Sequence, residues 1–135
     1  VTAEGDAGFY SSSHYIVDEL DKKEIPSVKI AGVPAFISCG ALANIHVVKQ
    51  EEELCVVPGV ISLEELKAKM ETETSIVIMK TSQCEDIIKQ AMQEVQTATF
   101  HYFENVGLPQ ELYTHSKEEI AERKFPYFSI IIIHP

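Results

Sequence analysis

Short apolar runs alternate with amphipathic stretches along this chain, and the spacing separates strands from helices. Leu54-Cys55-Val56-Val57, bounded by Glu51 to Glu53 and by the turn Pro58-Gly59, predicts a strand. Ser62-Leu63-Glu64-Glu65 follows as a capping box, in which Ser62 and Glu65 satisfy the free amides of a helix reaching about Met70. The cycle repeats. Ser75 to Met79 predicts a second strand, and Ser82 to Glu85 a second capping box that opens a helix with Ile87, Ile88, Ala91, Met92 and Val95 inward. Ala98 to Phe103 predicts a third strand, ending at Glu104-Asn105-Val106-Gly107. After Leu108-Pro109, Gln110 to Thr114 reads as a short strand and Ser116-Lys117-Glu118-Glu119 as a third capping box. Tyr127-Phe128-Ser129 then leads into Ile130 to Ile133, too apolar on both sides for an edge strand and therefore central in a sheet.

The front of the chain follows a different rhythm. Val1 to Asp6 reads as a strand end running into a glycine turn. Ser11 to Glu24 predicts a helix with Tyr15, Ile16 and Leu20 on one side and serine hydroxyls ahead of it as caps. Val28-Lys29-Ile30 predicts a strand, and Pro34 to Ile45, rich in small and apolar residues, a closely packed helix with proline in its first turn. Strand end, helix and strand form the tail of a βαβ unit. The chain is thus expected to be a piece of a longer one. The polar stretch between Asn44 and Glu53 marks a junction, giving residues 1–45 as the tail of one α/β domain and 46–135 as a second α/β domain with a covered sheet.

Length and composition narrow the function. At 135 residues and 45% hydrophobic the chain can build one core, and it is too apolar for general disorder. A formal charge of −10, with Arg123 the sole arginine, argues against nucleic acid and against anionic membrane surfaces. The longest aliphatic run is far below the roughly twenty residues that cross a bilayer. Cys39, Cys55 and Cys84 are widely spaced in apolar surroundings and predict inert buried thiols in a reducing cytoplasm. No cationic leader is present in these residues.

The candidate chemistry lies at strand ends. Gly5-Asp6 offers a backbone that a ligand can approach and a carboxylate that accepts from ammonium or hydroxyl groups, but GDAG lacks the spacing and lysine of a phosphate loop. The histidines His14, His46, His101, His115 and His134 show no metal-ligand spacing and read as scattered side chains, so no metal site is expected. Ser11-Ser12-Ser13 lacks the surroundings of a nucleophile elbow. The acidic stretches read as solvated faces. Met79-Lys80 ends a strand, and a methionine there can lie against a flat ring. Gly5-Asp6, Gly32-Val33-Pro34, Met79-Lys80 and Asn105-Val106-Gly107 all offer exposed backbone and small or soft side chains, and together they can line one cleft.

Glu4-Gly5-Asp6-Ala7-Gly8-Phe9-Tyr10-Ser11, Val33-Pro34-Ala35-Phe36, Ile76-Val77-Ile78-Met79-Lys80 and Pro126-Tyr127-Phe128-Ser129 follow one another in an order that resembles the tetrapyrrole (corrin/porphyrin) methylases of cobalamin biosynthesis, over essentially the whole chain. The resemblance implies two α/β domains, with S-adenosylmethionine folded in the cleft between them and a tetrapyrrole in a trough alongside. It places the cofactor against the Glu4-Gly5-Asp6 turn, Phe9, the pair Pro34-Ala35, Met79, the backbone at Val106, and Tyr127 and Ser129 on the adenine side. Ala7 and Ala31 stand where the family carries proline, so both turns lose a fixed φ. The family's glycine-rich first loop is not in these residues.

The implied reaction is methylation of a carbon of precorrin-2 or cobalt-precorrin-2, by attack of that carbon on the sulfonium methyl, in a cytoplasmic homodimer. No catalytic base is identified. Activity is then expected of a parent protein and not of this chain alone. Two alternatives stand beside it: a non-catalytic α/β binding module of a fused protein, and a related methylase with another acceptor, such as a different corrin intermediate or a translation-factor side chain. A polycarboxylate acceptor in an acidic protein further implies that Lys29, Lys49, Lys80 or Lys124 is concentrated near the cleft.

Overall fold

The computed structural model describes residues 1–135. Two helices come first, α1 (Ser13–Lys22) and α2 (Ala35–Ala43). Then follow β1 (Glu53–Val57), α3 (Leu63–Met70), β2 (Thr74–Met79), a 3-10 turn (Thr81–Gln83), α4 (Glu85–Glu94), β3 (Thr99–Glu104), β4 (Leu112–Thr114), α5 (Lys117–Glu122) and β5 (Ser129–His134). The five strands form one mixed sheet in the order β1-β2-β5-β3-β4. β1 and β2 are parallel, while β5 runs antiparallel to both β2 and β3. As its unbroken isoleucine run requires, β5 lies at the centre, with Ile131, Ile132 and Ile133 fully buried or nearly so.

Alternation along the strands makes two cores. Ile76, Ile78, Phe100, Tyr102, Ile131 and Ile133 face one side, where Leu66 and Met70 of α3 and Ile88, Ala91 and Met92 of α4 cover them. Val77, Phe103 and Ile132 face the other, against Phe36 and Cys39 of α2 and Val47. The serine half of the capping boxes at Ser62 and Ser116 forms: each hydroxyl accepts the N–H of the residue three positions on, Glu65 and Glu119. The Ser116 N–H goes to Thr114 Oγ1 and not to the Glu119 carboxylate.

Four expectations are corrected. The strand end expected at Val1 to Asp6 holds no strand, because the first strand of the chain is Glu53–Val57 and no ladder partner lies beside the front residues. Ser82 does not cap a helix; α4 starts at Glu85 behind Cys84, with no side-chain cap. Glu85 is drawn elsewhere, accepting from Lys89 Nζ and from the N–H of Phe125, and the Cys84 thiol donates to the Gly59 carbonyl. Val28-Lys29-Ile30 forms no strand, because a strand needs a ladder partner and none lies beside it; Val28 is 89% exposed and Ile30 85%. The apolar side of α1 likewise stays in solvent, with no buried residue, and its cap residue Ser12 makes no side-chain bond; Ser11 Oγ instead accepts from Ser13 N–H.

Candidate functional site

The topology puts the carboxyl ends of β2 and β3 beside the start of β5, and a cavity of about 470 Å³ opens there. That volume lies within the roughly 300–1,000 Å³ of small-molecule sites. The front segment supplies Glu4, Gly5, Val33 and Ala35. Met79 and Phe103 come from the sheet and Lys80 from the residue just after β2, and the loops after β3 and before β5 complete the wall. Gly5, Lys80, Asn105 and Gly107 all hold positive φ, so the chain turns sharply at the ends of its elements and presents backbone to the cavity. The N–H groups of Val106 and Ala35 make no hydrogen bond within the chain.

Of the ten residues expected at a cofactor, Glu4, Gly5, Ala35, Met79, Val106, Tyr127 and Ser129 line this one cavity. Asp6, Phe9 and Pro34 stand behind it. The Asp6 carboxylate accepts from Gly32 N–H at 2.6 Å and Gly8 N–H at 2.7 Å, tying the glycine turn to the loop ahead of α2. These backbone bonds, Gly32's first, hold its carboxyl below the usual carboxylate range. Phe9 packs on Phe36 with ring centroids 5.5 Å apart, and Pro34 precedes the first turn of α2. Ser129 lines the wall with its hydroxyl already engaged, to Thr81 Oγ1 and to the Pro126 carbonyl. It braces the strand end beside Met79 against the loop that carries Tyr127.

Val33 lines the wall, as the cleft reading of Gly32-Val33-Pro34 expects, whereas sequence reasoning missed Ser38, Cys39, Phe103 and Phe128. Phe103 and Cys39 follow from the side of β3 and α2 they occupy, which strand register and helix packing decide. Burial pushes the Cys39 thiol up to about 12, so it serves as an apolar wall and not as a nucleophile. The two loops are joined by the N–H of Asn105 donating to the Phe128 carbonyl at 2.9 Å. Just behind them Arg123 donates to both oxygens of Glu104, at 2.7 and 3.1 Å, and its guanidinium holds that carboxyl below the ordinary value.

The four lysines separate. Lys80 lines the cavity and, with Lys29, a second one of about 490 Å³ that shares Met79 with the first. Lys49 lies among Glu51, Glu52 and Glu73, and Lys124 beside Glu119 and Glu122, and neither lines the main cavity. The histidines are less scattered than their spacing implies. His101 Nδ1 lies 2.9 Å from Tyr113 Oη, His134 stands edge-on to it at 5.1 Å, and His115 is 6.3 Å away. The pairing of β3 with β5 and β4 brings them together, and none of the three lines the cavity. No group of three or more His, Cys, Asp or Glu is arranged to hold a metal ion, and no helix is long and apolar enough to cross a membrane.

A precorrin-2 C(20)-methyltransferase of Sinorhizobium sp. is 26% identical over 133 residues, 98% of this chain and 54% of that protein. The chain thus spans about half the length of the curated relative it matches. Its fold is shared with cobalt precorrin-4 methyltransferase, a cobalamin biosynthetic enzyme, at a TM-score of 0.75 and 11% identity, over 96% of this chain and 61% of the other. It is shared too with uroporphyrin-III C-methyl transferase from Thermus thermophilus, solved with S-adenosylhomocysteine, at a TM-score of 0.69 and 15% identity, over 96% and 62%. The family model for tetrapyrrole (corrin/porphyrin) methylases matches residues 1–121, and the chain belongs to that family.

Proposed function

We propose that these residues form the rear of the cofactor cleft of an S-adenosylmethionine-dependent C-methyltransferase acting on a tetrapyrrole, precorrin-2 or its cobalt form, in cobalamin biosynthesis. The observation that carries the reading is the convergence of seven independently placed residues, from Glu4 to Ser129, on one largely apolar cavity at the strand ends. The cavity fits the group. Met79 and Phe103 offer soft and flat surfaces for a purine, and the unpaired N–H groups of Val106 and Ala35 suit its ring nitrogens or carboxylate.

S-adenosylmethionine supplies a methyl already activated by its sulfonium. The protein's share is therefore positioning and exclusion of water, which the Asp6 bridge, the Ser129 hydroxyl and the Asn105–Phe128 bond perform by fixing the walls. Residues 1–45 then belong to the first domain of such an enzyme and 46–135 to the second. All five strands lie after residue 52, and α1 buries no residue here, which supports that division. The same reading carries a cytoplasmic homodimer, checked by light scattering.

Calorimetry with S-adenosylhomocysteine tests the reading, against this chain and against a protein of the relative's length that includes it. Binding is expected to the longer protein, and Met79→Ala should weaken it about tenfold through lost apolar contact. Absence of binding to the longer protein ends the proposal.

A further inference from the structure

Of the residues that the two loops bring to the main cavity, Asn105 and Val106 are half-buried, and Gly107, Leu108, Tyr127 and Phe128 are exposed. Apolar packing alone does not fix such a wall. The one bond between the loops, from Asn105 N–H to the Phe128 carbonyl, adds only a modest net amount. Stronger ties converge on Arg123, the residue just past α5 and the sole arginine of the chain. Its Nε and Nη2 grip separate oxygens of Glu104, the last residue of β3 and the immediate neighbour of Asn105. Glu104 is buried, and it also takes the Tyr102 hydroxyl at 2.8 Å. The Arg123 carbonyl accepts from Lys89 Nζ of α4, which also donates to Glu85, and Glu85 accepts the N–H of Phe125. The Phe125 ring closes the circuit, lying 4.7 Å from the Tyr102 ring and 5.0 Å from Lys89 Nζ. Arg123 thus joins α4, the end of β3 and the segment leading into β5, and its two-pronged hold on a buried carboxylate is a tie that fixes orientation as well as distance.

We infer that Arg123 is a positioning residue for the main cavity: acting through Glu104, it holds the turn at Asn105 to Gly107 against the loop at Pro126 to Phe128, so that Val106 and Tyr127 meet a ligand as one preformed wall. Arg123 itself does not line the cavity. Its effect on binding comes from ordering the two loops before the ligand arrives, which removes that cost from the binding step. The inference rests on the methyltransferase reading for the identity of the ligand only; the tie between the loops stands on its own geometry.

The test reads amide exchange residue by residue in the full chain. The N–H groups of Asn105 and Leu108 are bonded to the Phe128 and Asn105 carbonyls, so they report the loops directly. Arg123→Gln should quicken both about tenfold while Ile76, Val77 and Ile78 in β2 stay as slow as before. Glu104→Gln should do the same, and the two substitutions together no more than either alone, because both break one interaction. The double variant leaves no buried charge without its partner, so it carries the test if a single variant fails to fold. Arg123→Lys, which keeps the charge but not the fork, should restore part of the protection, and Lys67→Gln, which breaks the exposed pair with Glu94, should leave the loops unchanged. In a protein of the relative's length, calorimetry with S-adenosylhomocysteine should show Arg123→Gln binding about tenfold more weakly and Arg123→Lys in between. Unchanged exchange at Asn105 and Leu108, exchange that quickens equally in β2, or loosened loops with unchanged affinity overturns the assignment. No binding by the wild-type longer protein would instead overturn the methyltransferase reading, and the exchange result would still decide the role of Arg123.

Discussion

Gly32 leaves no room for a side chain, because a Cβ there would fall 2.0 Å from the Gly5 carbonyl oxygen. Its N–H also donates to Asp6, so one residue serves as both spacer and bridge between the glycine turn and the loop ahead of α2. Gly32→Ala should therefore move the cavity edge at Gly5 and lower S-adenosylhomocysteine affinity tenfold or more in calorimetry, while the melting of the sheet changes little. A second prediction concerns pH. Burial, helped by His134 and His115, pushes the His101 imidazole down to about 4 from 6.5, so the folded protein keeps it neutral while the unfolded chain takes up a proton. Its contribution is present above about pH 6.5 and is lost as pH falls toward 4, at most about 3 kcal/mol. Urea melts across that window should show this slope, and His101→Gln should flatten it. Glu104, held low by Arg123, adds its own loss only below about 4.5.

At the scale of elements, helix caps give a paired prediction. Ser62→Ala and Ser116→Ala should each cost about 1 kcal/mol in urea denaturation, whereas Ser82→Ala should be near neutral, since Ser82 caps nothing. All three sites present the same pattern in sequence. What separates them is distant: Glu85 is recruited by Lys89 and by Phe125, forty residues on. The same distinction runs through the fold. Apolar runs placed β1, β2, β3 and β5 within a residue or two, because an unbroken apolar run bounded by turn or polar residues is written locally. The expected strand at Val28 to Ile30 failed for a non-local reason, since a ladder needs a partner that these residues do not bring together.

For the whole molecule, the cleft was legible as an ordered set of turns, and Gly5, Met79 and Val106 do meet in it. Phe103, Cys39 and the histidine group were not, because strand register and helix docking decide which side chains share a face. The result is a molecule of unequal halves. The sheet with α3 and α4 holds the larger core, while α1 buries no residue and the front segment touches the sheet side mainly through Phe9, Phe36 and the cavity wall. Amide exchange should follow that division: slow in β2, β5 and β3, fast from residue 1 to 34. A ligand in the main cavity contacts both halves, since Glu4, Gly5 and Val33 face Met79 and Val106 across it. Adding S-adenosylhomocysteine should therefore slow exchange around Gly5 and Gly32 selectively, with β1 and α3 unchanged, because binding free energy is added to the opening of only those segments it bridges. Protection gained uniformly over the chain, or gained at α3 and not at Gly5, would place the ligand elsewhere.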